Sequence, residues 1–232
     1  MTAKRALAYL EKDPITNMDM IVPLKRGSAQ ILYAGDDGVC ILETKSRAYM
    51  MTVETPELGK SVMSEFTNSG YILSFHQEFM LGFFTDRARG TLLENHQGVY
   101  FSKEKLPVSD KLKIMPVVEQ NIGFVIQNYD FDVGADYISD RVKSRKIFGG
   151  YENGEFVGFV GIHAEGSIGL LKVLKEHRGK GFGTDLASYA INHQLERKTV
   201  PFVQIGVGNE YSLATVKRLG FEMSEKKVYW LF

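Results

Sequence analysis

Cysteine is almost absent from this chain: Cys40 is the only one in 232 residues. A single thiol cannot close an internal disulfide, and no Cys/His spacing reads as a zinc site, so a reducing, cytoplasmic setting without a bound metal is expected. Long apolar runs are missing as well. Nothing approaches the roughly twenty apolar residues that a membrane helix needs. The opening Met-Thr-Ala-Lys-Arg-Ala-Leu-Ala-Tyr-Leu-Glu-Lys places charges on both sides of a very short apolar run, which is no signal-peptide core. Charge of one sign is also missing: 28 Lys/Arg balance 28 Asp/Glu, so nothing global points to nucleic acid or an anionic membrane.

What is present suits a soluble globular protein. Apolar residues make up 44% of the chain, and its length permits one large domain or two small ones, each able to bury a core. The charge balance breaks locally. From Lys172 onward there are ten Lys/Arg against six Asp/Glu, an excess that suits a polyanionic ligand or a solvated basic face.

That basic stretch holds the most informative segment, Leu170 to Thr184, Leu-Leu-Lys-Val-Leu-Lys-Glu-His-Arg-Gly-Lys-Gly-Phe-Gly-Thr. An apolar strand passes through a polar corner into a glycine-rich basic turn and then into an amphipathic helix, expected over 185–195. Gly179, Gly181 and Gly183 can take backbone angles closed to other residues, so successive N–H groups can converge on an anion at the positive end of the helix. Arg178 and Lys180 add charge to the same place. The spacing fits neither a Walker loop nor the Gly-x-Gly-x-x-Gly dinucleotide fingerprint.

The turn resembles the acyl-CoA motif of the GNAT superfamily of N-acetyltransferases, Gln/Arg-x-x-Gly-x-Gly/Ala, matched by Arg178, Gly181 and Gly183. Asn209 and Ser212, followed by Gly220-Phe221, resemble the second cofactor motif of that family.

Element order extends the resemblance. The first half reads as helices over 3–12 and 17–25, strands 30–34, 39–43 and 49–53, a helix from Thr55 to about Asn68 stopped by Ser69-Gly70, a strand 71–75, a helix 76–87 and a strand 98–101. Phe75, Phe79, Phe83 and Phe84 recur at helical spacing and read as core, as do Met50 and Met51. Arg87-Ala-Arg89-Gly90 is basic but lacks the repeated glycines of a phosphate turn. From a strand at 114–118 onward come two helices (119–129 and 135–145), a three-strand meander (146–151, 156–163, 167–174), the glycine turn and its helix. A strand at 202–207, a short helix at 212–219 and a last strand at 227–232 complete the order. This is the order of a GNAT core over about 114–232. The expected fold is an α/β (mixed-sheet) GNAT acyl-CoA N-acyltransferase fold, with a degenerate GNAT-like helper domain at 1–109 and a catalytic domain at 110–232.

The resemblance implies acetyl-CoA as cosubstrate and direct attack on its thioester by an amine acceptor that the sequence does not identify. It assigns Leu171, Val173 and Leu174 to the pantetheine arm and to an oxyanion-binding N–H. Arg178, Gly179, Lys180, Gly181, Phe182, Gly183 and Thr184 go to the pyrophosphate, and Asn209 and Ser212 to the second motif. An amine with a pKa near 10 must lose a proton before it attacks. His163 and Glu165, at the end of the meander, are candidates for that base, and Glu176 is expected to orient the corner before the turn. The family's thiolate-protonating tyrosine is replaced here by Val216, which leaves Tyr211 and Tyr229 as substitutes. Two alternatives stand beside catalysis with acetyl-CoA: an acyl-CoA sensor without turnover, and transfer of a longer acyl chain. No nucleic-acid or membrane partner is expected, and a homodimer is compatible with the sequence.

Overall fold

The computed structural model describes residues 2–65, 72–84, 91–130 and 133–232. The expected helix stop at Ser69-Gly70 and the basic Arg87–Gly90 stretch lie outside them. The helices are α1 (Ala3–Leu10), α2 (Met18–Arg26), α3 (Pro56–Glu65), α4 (Leu81–Phe84), α5 (Ile122–Asn128), α6 (Ala135–Lys143), α7 (Phe182–Glu196) and α8 (Glu210–Arg218). The strands are β1 (Ala29–Ala34), β2 (Gly38–Glu43), β3 (Ala48–Val53), β4 (Ile72–Phe75), β5 (Leu92–Val99), β6 (Lys113–Pro116), β7 (Ile147–Glu152), β8 (Glu155–Ile162), β9 (Ile168–Val173), β10 (Phe202–Gly206) and β11 (Glu222–Leu231). They fall into two compact units, Met1–Tyr100 with Phe202–Phe232, and Phe101–Pro201.

The first unit is built on the strand order β1-β2-β3-β4-β11-β5-β10. β3 and β4 run parallel, and the pairs around them are antiparallel. β2 and β3 are buried almost continuously, as expected of strands covered on both faces, and Met50 and Met51 are in the core. Cys40 packs there with Met51, Val62, Phe75 and Met80, and burial pushes its thiol up to about 12. Two helix starts are closed locally: Thr2 Oγ1 accepts from Arg5 N–H (3.4 Å) at α1 and Thr55 Oγ1 from Leu58 N–H (3.2 Å) at α3.

Three segments differ from the pattern in the sequence, one of them β11, which begins at Glu222, five residues before the expected last strand. The expected helix over 76–87 starts only after Gln77, whose side chain accepts from Val53 N–H (3.0 Å) and donates to Thr52 Oγ1 (2.8 Å), holding the chain extended. The aromatic stripe therefore splits, with Phe75 buried at the end of β4 and Phe79 40% exposed. β5 begins six residues before the expected strand, through Glu94-Asn95-His96-Gln97. Gln97 is buried there because Nε2 donates to Ile15 O (2.8 Å) and Thr16 O (2.7 Å), while Oε1 accepts from Gln204 (2.8 Å). Gln204 in turn accepts from Trp230 Nε1 (2.7 Å). A polar side chain belongs in a core when each polar atom has such a partner.

The second unit is an antiparallel meander in the order β9-β8-β7-β6. On one face, Val125 of α5 and Ile138 and Val142 of α6 pack with Ile147, Phe159 and Leu170. Alternation along β8 turns Gly158 to the opposite face, where a Cβ would sit 3.3 Å from Leu186 of α7. The lead-in segment is fastened along α7. Asp185 accepts from Ser109 N–H (3.0 Å) and Oγ (2.5 Å), Leu106 exchanges two bonds with Asn192 (2.8 Å each), and Lys105 pairs with Glu196 (2.7 Å).

Candidate active site

The glycine turn lies wholly within the second unit. Lys175–His177 forms a single 3-10 turn after β9, and α7 begins at Phe182, three residues earlier than the apolar pattern indicates. Gly179 and Gly181 take φ of +78° and +88°, the left-handed region that lets consecutive N–H groups point one way. Among the described residues, no acceptor meets the N–H groups of Gly179, Lys180, Gly181, Phe182 or Gly183, and Gly181 brings no side-chain cap. The first engaged donors are Thr184 and Asp185, both onto Gly181 O (3.0 and 3.2 Å). Five successive donors at the positive end of a fifteen-residue helix make an anion cradle. Asp185, which would repel an anion, is turned onto Ser109 instead.

The cations of the turn are engaged too. Arg178 Nε donates to Val173 O (3.2 Å), and Lys180 Nζ donates to Glu152 Oε2 (2.9 Å). The Lys180 hydrogen bond, the leading cause, holds the Glu152 carboxyl below the usual range. Glu176 is exposed, and among the described residues its side chain makes no hydrogen bond. The buried side chain at this corner is His177.

Upstream, β9 is irregular. Its register with β8 shifts between Phe159 and Gly161, and Leu170 carries φ of +51°, which is unusual for a bulky residue. The backbone of Leu170 hydrogen-bonds the Tyr129 hydroxyl, and burial pushes that phenol up to about 12. Past the bulge, Leu174 N–H donates to Val157 O (3.0 Å). Alternation then points the N–H and C=O of Val173 away from β8. Of the two N–H groups assigned to an oxyanion, that of Leu174 is therefore already engaged. Leu171 is among the exposed apolar residues.

The three catalytic candidates are not together on one element. His163 and Glu165 lie beyond the Ile162–Ile168 pair, at the opposite end of β9 from Val173. His163 Nδ1 is 2.8 Å from the Tyr137 hydroxyl, which accepts from Ala164 N–H (3.2 Å). With that donor in place, the phenolic proton is directed to Nδ1 and the imidazole proton to Nε2. Burial lowers the pKa of His163 despite the nearby Glu165 carboxylate, which acts in the opposite sense. A Cβ on Gly169 would run into the same ring. Glu165 is buried and accepts from the hydroxyl and N–H of Ser167. Tyr211, on α8 of the first unit, is 79% exposed, whereas Tyr229 is buried and stacks on Phe75 with centroids 5.3 Å apart.

Asn209 and Ser212 also belong to the first unit, where Asn209 Oδ1 accepts from Ser212 N–H (3.1 Å) as the N-cap of α8. The motif thus has a complete local explanation. Among the described residues, no group of three His, Cys, Asp or Glu side chains could hold a metal, and no helix is long and apolar enough to cross a membrane. Two cavities open on the second unit. One of about 270 Å³ is lined by Ile126, Tyr129, Asp130 and Ile138, and a larger one of about 410 Å³ lies by Lys111, Lys113 and Tyr151 at the β6 edge. Sequence reading placed His177 beside Glu176 at the motif corner without giving it a role, and did not find Tyr129 or Glu152. The only local signal is the Glu-Asn-Gly turn, which forecasts a hairpin but not what its glutamate faces.

The model of the FR47-like protein family matches residues 147–231, fewer than half of the chain. No curated protein matches. Among solved structures, a Drosophila protein is similar over 99% of this chain and 86% of its own, with 13% identity and a TM-score of 0.69. A putative GNAT-family acetyltransferase from Novosphingobium aromaticivorans is similar over 94% and 95%, with 12% identity and a TM-score of 0.58. A tandem GNAT protein from the clavulanic acid biosynthesis pathway is similar over 98% and 92%, with 14% identity and a TM-score of 0.52. Likeness at such identities is one of architecture, and it agrees with the resemblance carried by Arg178, Gly181 and Gly183: the chain has the α/β GNAT acyl-CoA N-acyltransferase fold.

Proposed function

We propose that this protein is an N-acetyltransferase that moves the acetyl group of acetyl-CoA to an amine by direct attack. The observation that carries this reading is the row of five unengaged N–H groups from Gly179 to Gly183 ahead of α7, since folding alone gives them no partner. They hold the pyrophosphate, with Arg178, Lys180 and Thr184 at its margin. Leu171 and Val173 line the pantetheine, and the N–H of Val173, directed away from β8, steadies the oxyanion. The amine enters by the 270 Å³ cavity beside Tyr129.

His163, tied to Tyr137 and lowered by burial, is too weak a base for an alkylammonium, so in this reading the proton leaves through solvent. His163 then positions the loop before β9. Glu165 supports it through Ser167. The corner made by Asn209 and Ser212 retains a separate proposed role in cosubstrate contact, carried by the motif, and the exposed Tyr211 stays the proposed substitute for the tyrosine that protonates the thiolate. A CoA thiol, with a reference thiol pKa of about 8.5, leaves as thiolate without a general acid at Val216. The proposed setting is the cytoplasm, without metal, nucleic acid or membrane.

Titration calorimetry with acetyl-CoA, free CoA and ATP tests the cosubstrate, followed by thiol release across an amine panel. Micromolar binding of the CoA species with turnover is expected. No binding of any CoA ends the proposal. Binding without turnover or hydrolysis replaces it with a sensor, and tighter binding of longer acyl-CoAs would replace acetyl transfer.

A further inference from the structure

Lys180 and His177 converge on one oxygen. Glu152, the last residue of β7, accepts from Lys180 Nζ at 2.9 Å through Oε2. His177 Nδ1 lies 3.7 Å from that same Oε2, and its Nε2 lies 3.4 Å from Oε1 of Glu155, the first residue of β8. The His177 side chain is only 7% exposed, yet neither ring nitrogen makes a hydrogen bond. Buried imidazole nitrogens normally have partners. Here both face carboxylates, Glu155 at 3.4 Å and Glu152 at 3.7 Å, without forming a hydrogen bond, and the farther carboxylate is taken by a lysine of the phosphate turn.

We propose that Glu152 is a competing anion built into the phosphate turn and that His177 is its reserve counter-ion. The inference rests on the acyl-CoA reading of the turn. When the pyrophosphate takes Lys180, Glu152 loses its hydrogen-bonded cation and turns to His177. The imidazole gains one proton from solvent, becomes imidazolium, and pairs with Glu152 through Nδ1–H. The charged groups facing His177 are Glu152 from β7 and Glu155 from β8, with Lys180 on the far side of Glu152. The charged side chains on its own segment, Lys175, Glu176 and Arg178, are exposed. Two carboxylates and a departing lysine make the protonated ring the favoured partner. Cosubstrate affinity is thereby held down at the turn and coupled to a proton.

The test is calorimetry of acetyl-CoA on the full chain, at low salt and near neutral pH, in two buffers of different ionisation enthalpy. Glu152→Gln keeps the side-chain size at a position 25% exposed, and circular dichroism checks that it folds. It should tighten binding about two- to fivefold, the value of a partly exposed ion pair no longer broken on binding. Lys180→Met should weaken binding and cancel the gain from Glu152→Gln. Wild type should take up more protons on binding than either His177→Gln or Glu152→Gln, a difference in which protons from the cosubstrate's own phosphates cancel. Unchanged or weaker binding by Glu152→Gln overturns the competition, as does a gain that survives Lys180→Met, which assigns it to plain repulsion. Equal proton uptake in wild type and His177→Gln overturns the counter-ion role. Failure of wild type to bind acetyl-CoA retires the acyl-CoA reading, and this inference with it.

Discussion

The two units contrast in one buried histidine and one helix start each. In the first, the starts of α1, α3 and α8 are closed by side-chain oxygens of Thr2, Thr55 and Asn209, although that of α2 is not, and the buried His76 is satisfied on both sides, by Asn17 Oδ1 (2.9 Å) and Asp19 Oδ2 (3.1 Å). Asn17 is itself fixed by its bond to Leu10 O (3.0 Å). In the second unit, α7 starts on a bare glycine turn, and the buried His177 has no hydrogen bond. Folding satisfies its polar groups wherever it can. Other groups are left open as well, among them buried Asp19 Oδ1, Ser74 Oγ and Gln194 Oε1, but at this corner an open buried imidazole and a bare helix start, at His177 and Gly181, stand four residues apart in one basic glycine turn.

The contrast can be broken experimentally. The largest effect should come from His76→Ala, which leaves Asp19 buried without its partner and should cost about 3 kcal/mol or more of stability. His177→Gln should cost far less, and equal losses in urea titrations would erase the difference between the histidines. Next come two glycines, both in the left-handed region with open space around the missing Cβ: Gly181 in the turn and Gly27 after α2, at +88° and +75°. Valine at either should cost about 1–2 kcal/mol of stability. Only Gly181→Val should also lower acetyl-CoA affinity, by about tenfold or more, as one lost charge-assisted contact requires. Equal affinities in the two folded variants would move the cosubstrate elsewhere.

Asn209→Ala removes the cap of α8 and should cost about 1 kcal/mol. Acetyl-CoA affinity separates its two roles: a loss supports cosubstrate contact, and no change leaves Asn209 a cap alone. The smallest effect concerns pH. His163 has a lowered folded pKa, so below the unfolded value of about 6.5 the unfolded chain binds a proton that the folded chain refuses. Stability should fall as pH drops from there to the folded pKa and stay level above it. His163→Gln should flatten the slope by up to about one proton in denaturation titrations across that window.

How much of this was legible in the sequence depended on whether the information was local. Arg178, Gly179 and Gly181 announce themselves because backbone angle and charge are properties of neighbours in the chain, whereas Gly183, expected to share the special angle, lies inside α7 without one. The apolar runs of β2, β3 and β8 were readable for the same reason. β5 was not: Glu94–Gln97 is polar by composition, and only partners at Ile15, Thr16 and Gln204 make its burial possible. Gln77 stopped a helix that periodicity favoured, through bonds to Thr52 and Val53 that no window around residue 77 contains. The same limit hid Glu152 and Tyr129, whose parts in the site come from register with segments over twenty residues away. Helical spacing likewise grouped Phe75 with Phe79, although the two occupy different elements.

The place of β11 has a consequence for how the protein is made. This strand, residues 222–231, is central in its sheet, between β4 and β5. The second unit is one unbroken stretch, 101–201, whereas the first is interrupted by it. On the ribosome, the segment carrying the glycine turn can therefore collapse while the earlier hundred residues still wait with β4 and β5 unjoined. Until synthesis passes residue 231, those two strands present open edges that could capture another chain. The half of the protein made first is the half finished last, and its dependence on chaperones should be concentrated in that interval.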